Sequence, residues 1–173
     1  FDGATWRERA PTAVPSSTTF PKAAYDSVRQ RVVLVGVYDR NSTLETWEWD
    51  GQAWARIVGA SSPALFFPLL AFDVARRRTV LFGGGVNSSE TWEWGGTTWV
   101  QRQPPTRPPT RSWATMAYDA ARQRLVLFGG LPTQNDTWEW DGQTWVQMRP
   151  ATSPPQTWQA AMAYDAGRQR IVL

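Results

Sequence analysis

The twelve residues Asp136–Gln147, DTWEWDGQTWVQ, hold three tryptophans, Trp138, Trp140 and Trp145, with Glu139 and Asp141 between them. Each indole must bury a large ring and find an acceptor for its one N–H. Such a cluster can be a ligand strip, an acid pair flanked by aromatics, or packing, and the choice turns on whether it stands alone. It does not. ETWEWDGQAWAR spans Glu45–Arg56, ETWEWGGTTWVQ spans Glu90–Gln101, and the opening FDGATWRER matches the tail of the same unit. The closing tryptophans Trp6, Trp54, Trp99 and Trp145 are spaced by 48, 45 and 46 residues. A second motif keeps step with them: AYDSVRQRVVLVG from Ala24, AFDVARRRTVLFGG from Ala71, AYDAARQRLVLFGG from Ala117 and AYDAGRQRIVL from Ala163. Its Asp26, Asp73, Asp119 and Asp165 lie 47, 46 and 46 apart. The chain is a repeat array with a period near 46 residues, and that period governs every later inference about fold and site.

Within one unit the signals are those of strands. WATMAYD, from Trp113, is a short run of apolar and small residues that Asp119 ends; AARQ supplies a turn; RLVLFGG is rich in β-branched and aromatic residues before two glycines stop it. DTWEWDG then alternates Trp138 and Trp140 on one face with Thr137, Glu139 and Asp141 on the other, the period of a half-buried strand. Asp141-Gly142 turns the chain into a fourth strand carrying Trp145. No segment keeps a helical apolar spacing. Each unit is expected to be a four-stranded antiparallel meander that buries its faces only by stacking on its neighbours, which for radial stacking is an all-β propeller.

The motifs carry a family resemblance. A strand ending in Gly-Gly, an aromatic followed by Asp or Gly in the third strand and a Trp about five residues later in the fourth resemble the kelch repeat. The TWEWDG and AYDAxRQRxVLFGG versions are similar to kelch-type propellers of bacterial proteins, related in fold to that of galactose oxidase. The first unit departs from the pattern, with Gly36 alone where its neighbours have Gly83-Gly84 and Gly129-Gly130. The resemblance implies four-stranded kelch-type blades, about 3.7 repeats in all. Residues 1–9 end a blade, 10–56, 57–101 and 102–147 form one each, and 148–173 give the first two strands of another.

Composition narrows the function classes. The chain has 173 residues, a formal charge of +3, no histidine and no cysteine. The commonest general base, the commonest metal ligand and thiolate chemistry are thereby missing. Nor does galactose oxidase's copper site, built on tyrosine, histidine and a Tyr-Cys link, have its residues here. The Asp-box of sialidase propellers is not matched either, because Asp141 stands directly beside Gly142. Basic residues recur at turns, as Arg29 and Arg31, Arg76 and Arg78, Arg122 and Arg124, Arg168 and Arg170, which fits a solvated rim better than a nucleic-acid face. No run of 18 apolar residues marks a membrane span.

Four sets of residues remain as site candidates. Glu48, Glu93 and Glu139 sit between paired tryptophans, but identical carboxylates on separate repeats do not converge as a glycosidase pair must, so solvated or Arg-paired strand residues are expected. The repeated YD and FD aspartates, each with Arg three residues on, are expected to cap turns rather than bind calcium. Phe20, Phe67, Trp113 and Trp158 stand just before the first strand of each unit; if that strand is innermost they lie at a channel mouth, where aromatics stack on a sugar or a peptide side chain. Asn41, Asn87 and Asn135 begin N-x-S/T sequons in equivalent loops, glycan acceptors in a secretory setting and ordinary turn formers otherwise.

The expectation is a non-catalytic kelch-type propeller acting as a protein-interaction or structural scaffold, extracellular or surface-associated as the resemblance to bacterial relatives implies. It needs no cofactor and no metal, and its partner is a protein or a surface polysaccharide rather than nucleic acid or the membrane interior. A carbohydrate-binding propeller using the four aromatics is the alternative, and a hydrolase on the glutamates a distant third. The unfinished units at both ends suggest a part of a larger ring, or a subunit whose homo-oligomer supplies the missing strands.

Overall fold

In the computed structural model, which describes residues 3–11, 13–15, 19–37, 44–58, 63, 65, 67–84, 88–132 and 134–173, the repeats fold as antiparallel sheets. The first sheet holds β1 (Thr19–Asp26), β2 (Arg31–Val37), β3 (Leu44–Trp49) and β4 (Trp54–Ile57). The second holds β5 (Leu69–Asp73), β6 (Arg78–Phe82), β7 (Thr91–Trp94) and β8 (Trp99–Arg102). The third holds β9 (Thr115–Asp119), β10 (Arg124–Phe128), β11 (Thr137–Trp140) and β12 (Trp145–Met148), and a hairpin of β13 (Ala163–Asp165) and β14 (Arg170–Val172) follows. Neighbours in sequence are neighbours in every sheet, so each unit is a meander. No helix occurs among the described residues.

The first hairpin of each unit is closed by its aspartate. Asp26 accepts the backbone N–H groups of Val28 and Arg29 at 3.0 and 2.9 Å. Asp73, Asp119 and Asp165 accept those of Arg76, Arg122 and Arg168 at 3.1, 3.0 and 2.9 Å. The same arginines fold back onto the second carboxylate oxygen, at 2.8 Å in the last three turns. These aspartates are turn caps. The residues after the arginines, Gln30, Arg77, Gln123 and Gln169, take left-handed φ values of 54°, 55°, 55° and 52° to complete the turn.

Tryptophan then joins sheet to sheet. In the third sheet Trp138 lies opposite Leu127, and Trp140 opposite both Leu125 and Trp145, so all three rings share the face turned to the second sheet. There they pack with Leu69, Ala71, Val80 and Phe82. Trp94 and Trp99 pack in the same way on Val33, Val35 and Leu44 of the first sheet. The indole N–H groups follow a rule. The fourth-strand Trp donates to the third-strand Thr of the preceding sheet, Trp99 to Thr46 and Trp145 to Thr91, both at 2.9 Å. The first Trp of each WEW donates to the acid two residues before it: Trp47 to Glu45, Trp92 to Glu90, Trp138 to Asp136.

Between the paired tryptophans, Glu48 faces the following sheet, where it accepts the Trp94 indole at 2.8 Å while Arg29 holds it from its own sheet. Glu139 is held by Arg122, and Glu93 by Arg102. Arg102 stands where the first sheet has Ile57 and the third Met148. With Glu93 drawn to Arg102, the buried Trp140 indole, the counterpart of Trp94, finds no acceptor among the described residues.

Trp6, the counterpart of Trp145 in the opening repeat, is 85 % exposed, and residues 3–11 belong to none of the described sheets.

Candidate functional site

The first strands of successive sheets lie beside one another, β1 against β5, β5 against β9 and β9 against β13. Their starting residues are thereby brought to one end of the molecule. Phe20 is the second residue of β1, and Phe67 and Trp113 each stand two residues before β5 and β9. Their rings touch. Centroids are 4.5 Å apart for Phe20 and Phe67, 4.6 Å for Phe67 and Trp113, and 5.4 Å for Phe20 and Trp113, the last pair edge-on. Sheets stacked flat sit about 10 Å apart, which would place rings of the first and third sheets about 20 Å from each other. The sheets instead fan outward from their first strands.

The rings line a cavity of about 230 Å³ together with Lys22, Leu69, Ala114, Gln159 and Ala160. Phe20 is 42 % exposed and Trp113 half-buried, so the aromatic surface is open on one side. Phe20 and Trp113 hold left-handed φ values of 54° and 59°. That conformation costs an L residue about 1–2 kcal/mol and suits glycine better than an aromatic.

Trp158, grouped with the other three in the sequence, does not join them. It is 53 % exposed and off the cavity wall, and Gln159 and Ala160 stand there instead. Register explains the substitution. Phe20, Phe67 and Trp113 each precede the turn aspartate by six residues, and in the last repeat that position is Gln159, which shares the left-handed φ at 58°.

The glycine pairs of VLFGG shape the same end. The N–H of Phe67 donates to the Gly84 carbonyl at 2.7 Å, and a Cβ on Gly84 would fall 2.6 Å from the Pro68 nitrogen. A Cβ on Gly130 would fall 2.8 Å from the Ser112 carbonyl oxygen. Glycine is what lets the segments carrying Phe67 and Trp113 lie on the ends of their own second strands.

Two residues before Trp113, Arg111 is buried, a feature that no repeat announces. Its guanidinium makes a two-pronged pair with Asp136 at 2.6 and 2.9 Å and donates to the Gly129 and Pro109 carbonyls at 3.1 and 3.2 Å. Burial pushes the Asp136 carboxyl up, but the hydrogen bonds from Arg111 and Trp138 and the Arg111 charge outweigh it and hold the group below its ordinary value. Arg111 ties the loop bearing Trp113 to the start of β11.

Glu48, Glu93 and Glu139 are engaged by arginines as described, away from the aromatic end. Among the described residues no three or more Asp or Glu side chains gather as a metal site would require. Asn135 is exposed in the loop before β11; Asn41 and Asn87 lie outside the described residues. In comparisons with known proteins, no family model matches the chain and no curated sequence is significantly similar to it.

Proposed function

We propose that the chain is a run of kelch-type β-propeller blades serving as a non-catalytic interaction or scaffold module, extracellular or surface-associated, with its binding surface at the aromatic end. The observation that carries this reading is the convergence of Phe20, Phe67 and Trp113 from three successive repeats around one open cavity. Packing between neighbouring blades uses the same ring at the same place in each, whereas this cluster joins the first sheet to the third. The glutamates support the non-catalytic part of the reading, since each already serves an arginine and Glu48 an indole as well.

The cluster also favours carbohydrate as the partner, because rings presented on an open wall stack on sugar faces. A panel of soluble oligosaccharides, titrated while the indole N–H resonances are followed by NMR, tests both levels. The expected result is a saturable shift of the Trp113 resonance in the native protein, and no heat of binding by calorimetry in a folded Phe20→Ala/Trp113→Ala variant. Binding that survives the double substitution overturns the site. No response across the panel removes the carbohydrate reading and leaves a protein partner.

A further inference from the structure

Resting on that reading of the aromatic end as a binding surface, the geometry points to a narrower ligand class: we infer that the cavity takes a single ring bearing a carboxylate. The ring's flat face would lie on Phe67 and Trp113 and its carboxylate on Lys22.

Size is the first argument. At about 230 Å³ the cavity falls below the roughly 300–1,000 Å³ of pockets for drug-sized ligands, so one ring with its substituents is what it can enclose. Charge is the second. The wall carries one cation, Lys22, one amide, Gln159, and no carboxylate. Lys22 is the chain's sole lysine, and among the described residues it forms no ion pair; Arg29, Arg76, Arg102 and Arg122 are matched to Asp or Glu, while Arg31, Arg78 and Arg124, away from the cavity, turn to a neighbouring backbone carbonyl. An unmatched ammonium beside an apolar floor leaves an anionic, flat-faced ligand as the complement.

Backbone cost is the third argument. Phe20 and Trp113 keep large rings at left-handed φ values where glycine would relieve the strain. At the equivalent Gln159 the same backbone carries an amide, so the conformation does not itself demand an aromatic side chain. The rings are held there against local preference, and they line the cavity.

Two sources present this chemistry, a uronic acid residue of a polysaccharide and an aromatic carboxylate. Sodium glucuronate, methyl glucoside and indole-3-acetate, each titrated into the 173-residue chain by isothermal calorimetry and NMR, separate them. The expected result is that at least one carboxylate probe binds about ten-fold more tightly than the neutral glucoside, the effect of one charge-assisted hydrogen bond. Lys22→Gln should bring that probe down to the neutral level, added salt should weaken it, and Trp113→Gly should abolish all binding while the fold persists. Preference for glucuronate identifies the sugar acid, and preference for indole-3-acetate the aryl acid. Equal binding of charged and neutral probes, unchanged by Lys22→Gln, overturns the anionic class but leaves the aromatic site standing. Binding of no probe overturns the ring-carboxylate class and leaves the aromatic end to a protein partner, whereas binding indifferent to Trp113→Gly overturns both the class and the site.

Discussion

Replacing Trp145 with alanine is expected to destabilise the protein by about 3–5 kcal/mol, a large share of the roughly 5–15 kcal/mol that holds an ordinary domain folded. The Trp145 ring is fully buried, stands 5.0 Å from Phe82 of the preceding sheet and 5.4 Å from Trp140, and gives its N–H to Thr91. Its loss opens a cavity between two sheets, strips Phe82 of its neighbour and leaves the buried Thr91 hydroxyl without its donor. The repeat supplies an internal control. Trp54 occupies the same place in the first sheet, is half-buried, and among the described residues has no indole hydrogen bond to another sheet. Trp54→Ala should cost less than half as much, on the order of 1–2 kcal/mol, in proportion to the area it hides. Urea denaturation of both variants measures the difference; equal costs would mean that contacts between sheets do not set the worth of these rings.

Arg111→Met is the second large effect. With its side chain fully buried and every polar contact made to Asp136 or to backbone carbonyls, removing the guanidinium leaves the Asp136 charge without its cation, at a cost of about 3–5 kcal/mol near neutral pH. Adding Asp136→Asn should recover much of this, because the amide keeps an acceptor for the Trp138 indole and carries no charge. The pH dependence has a definite sign. In the native protein the Asp136 pKa is depressed, so its contribution is present above the unfolded carboxylate value of about 3.9 and is lost as pH falls through the folded value. In Arg111→Met the uncompensated carboxyl titrates above that value, and protonation relieves the penalty. The stability gap between native and variant proteins should therefore narrow on going from neutral pH to about pH 3. A gap of the same size at both would show that Arg111 acts by packing alone.

Recurrence made the strands legible, because a motif seen in several registers reports its own period. The turn aspartates were legible for the same reason, and their hydrogen bonds follow the spacing of Asp to Arg. What recurrence conceals is context. Trp6 and Trp145 close the same motif, yet one is exposed and the other buried, since burial belongs to the neighbouring sheet and not to the local sequence. The indole acceptors were in plain sight as the Thr and the acid of E/D-T-W, but their service to Trp in the next sheet or two residues along appears only in three dimensions.

The site was legible in part. Phe20, Phe67 and Trp113 could be marked because each precedes a first strand, but attention to residue type drew in Trp158, when counting back from Asp165 leads to Gln159. Lys22 could have been noticed as the one lysine in an arginine-rich chain. Arg111 carries no such signal. It belongs to a proline-rich linker, has no counterpart among the repeats, and owes its role to the distance at which folding places Asp136.

The central claim is that the sheets converge at their first strands, so that aromatic rings from the first and third repeats meet at one surface. A nuclear Overhauser experiment on protein with selectively labelled phenylalanine and tryptophan tests it most directly. With ring centroids 5.4 Å apart and edge-on, cross-peaks between the Phe20 ring and the Trp113 indole are expected, alongside those linking each to Phe67. Cross-peaks from Phe67 to either neighbour with none between Phe20 and Trp113 would indicate sheets stacked in a line, and would contradict the account.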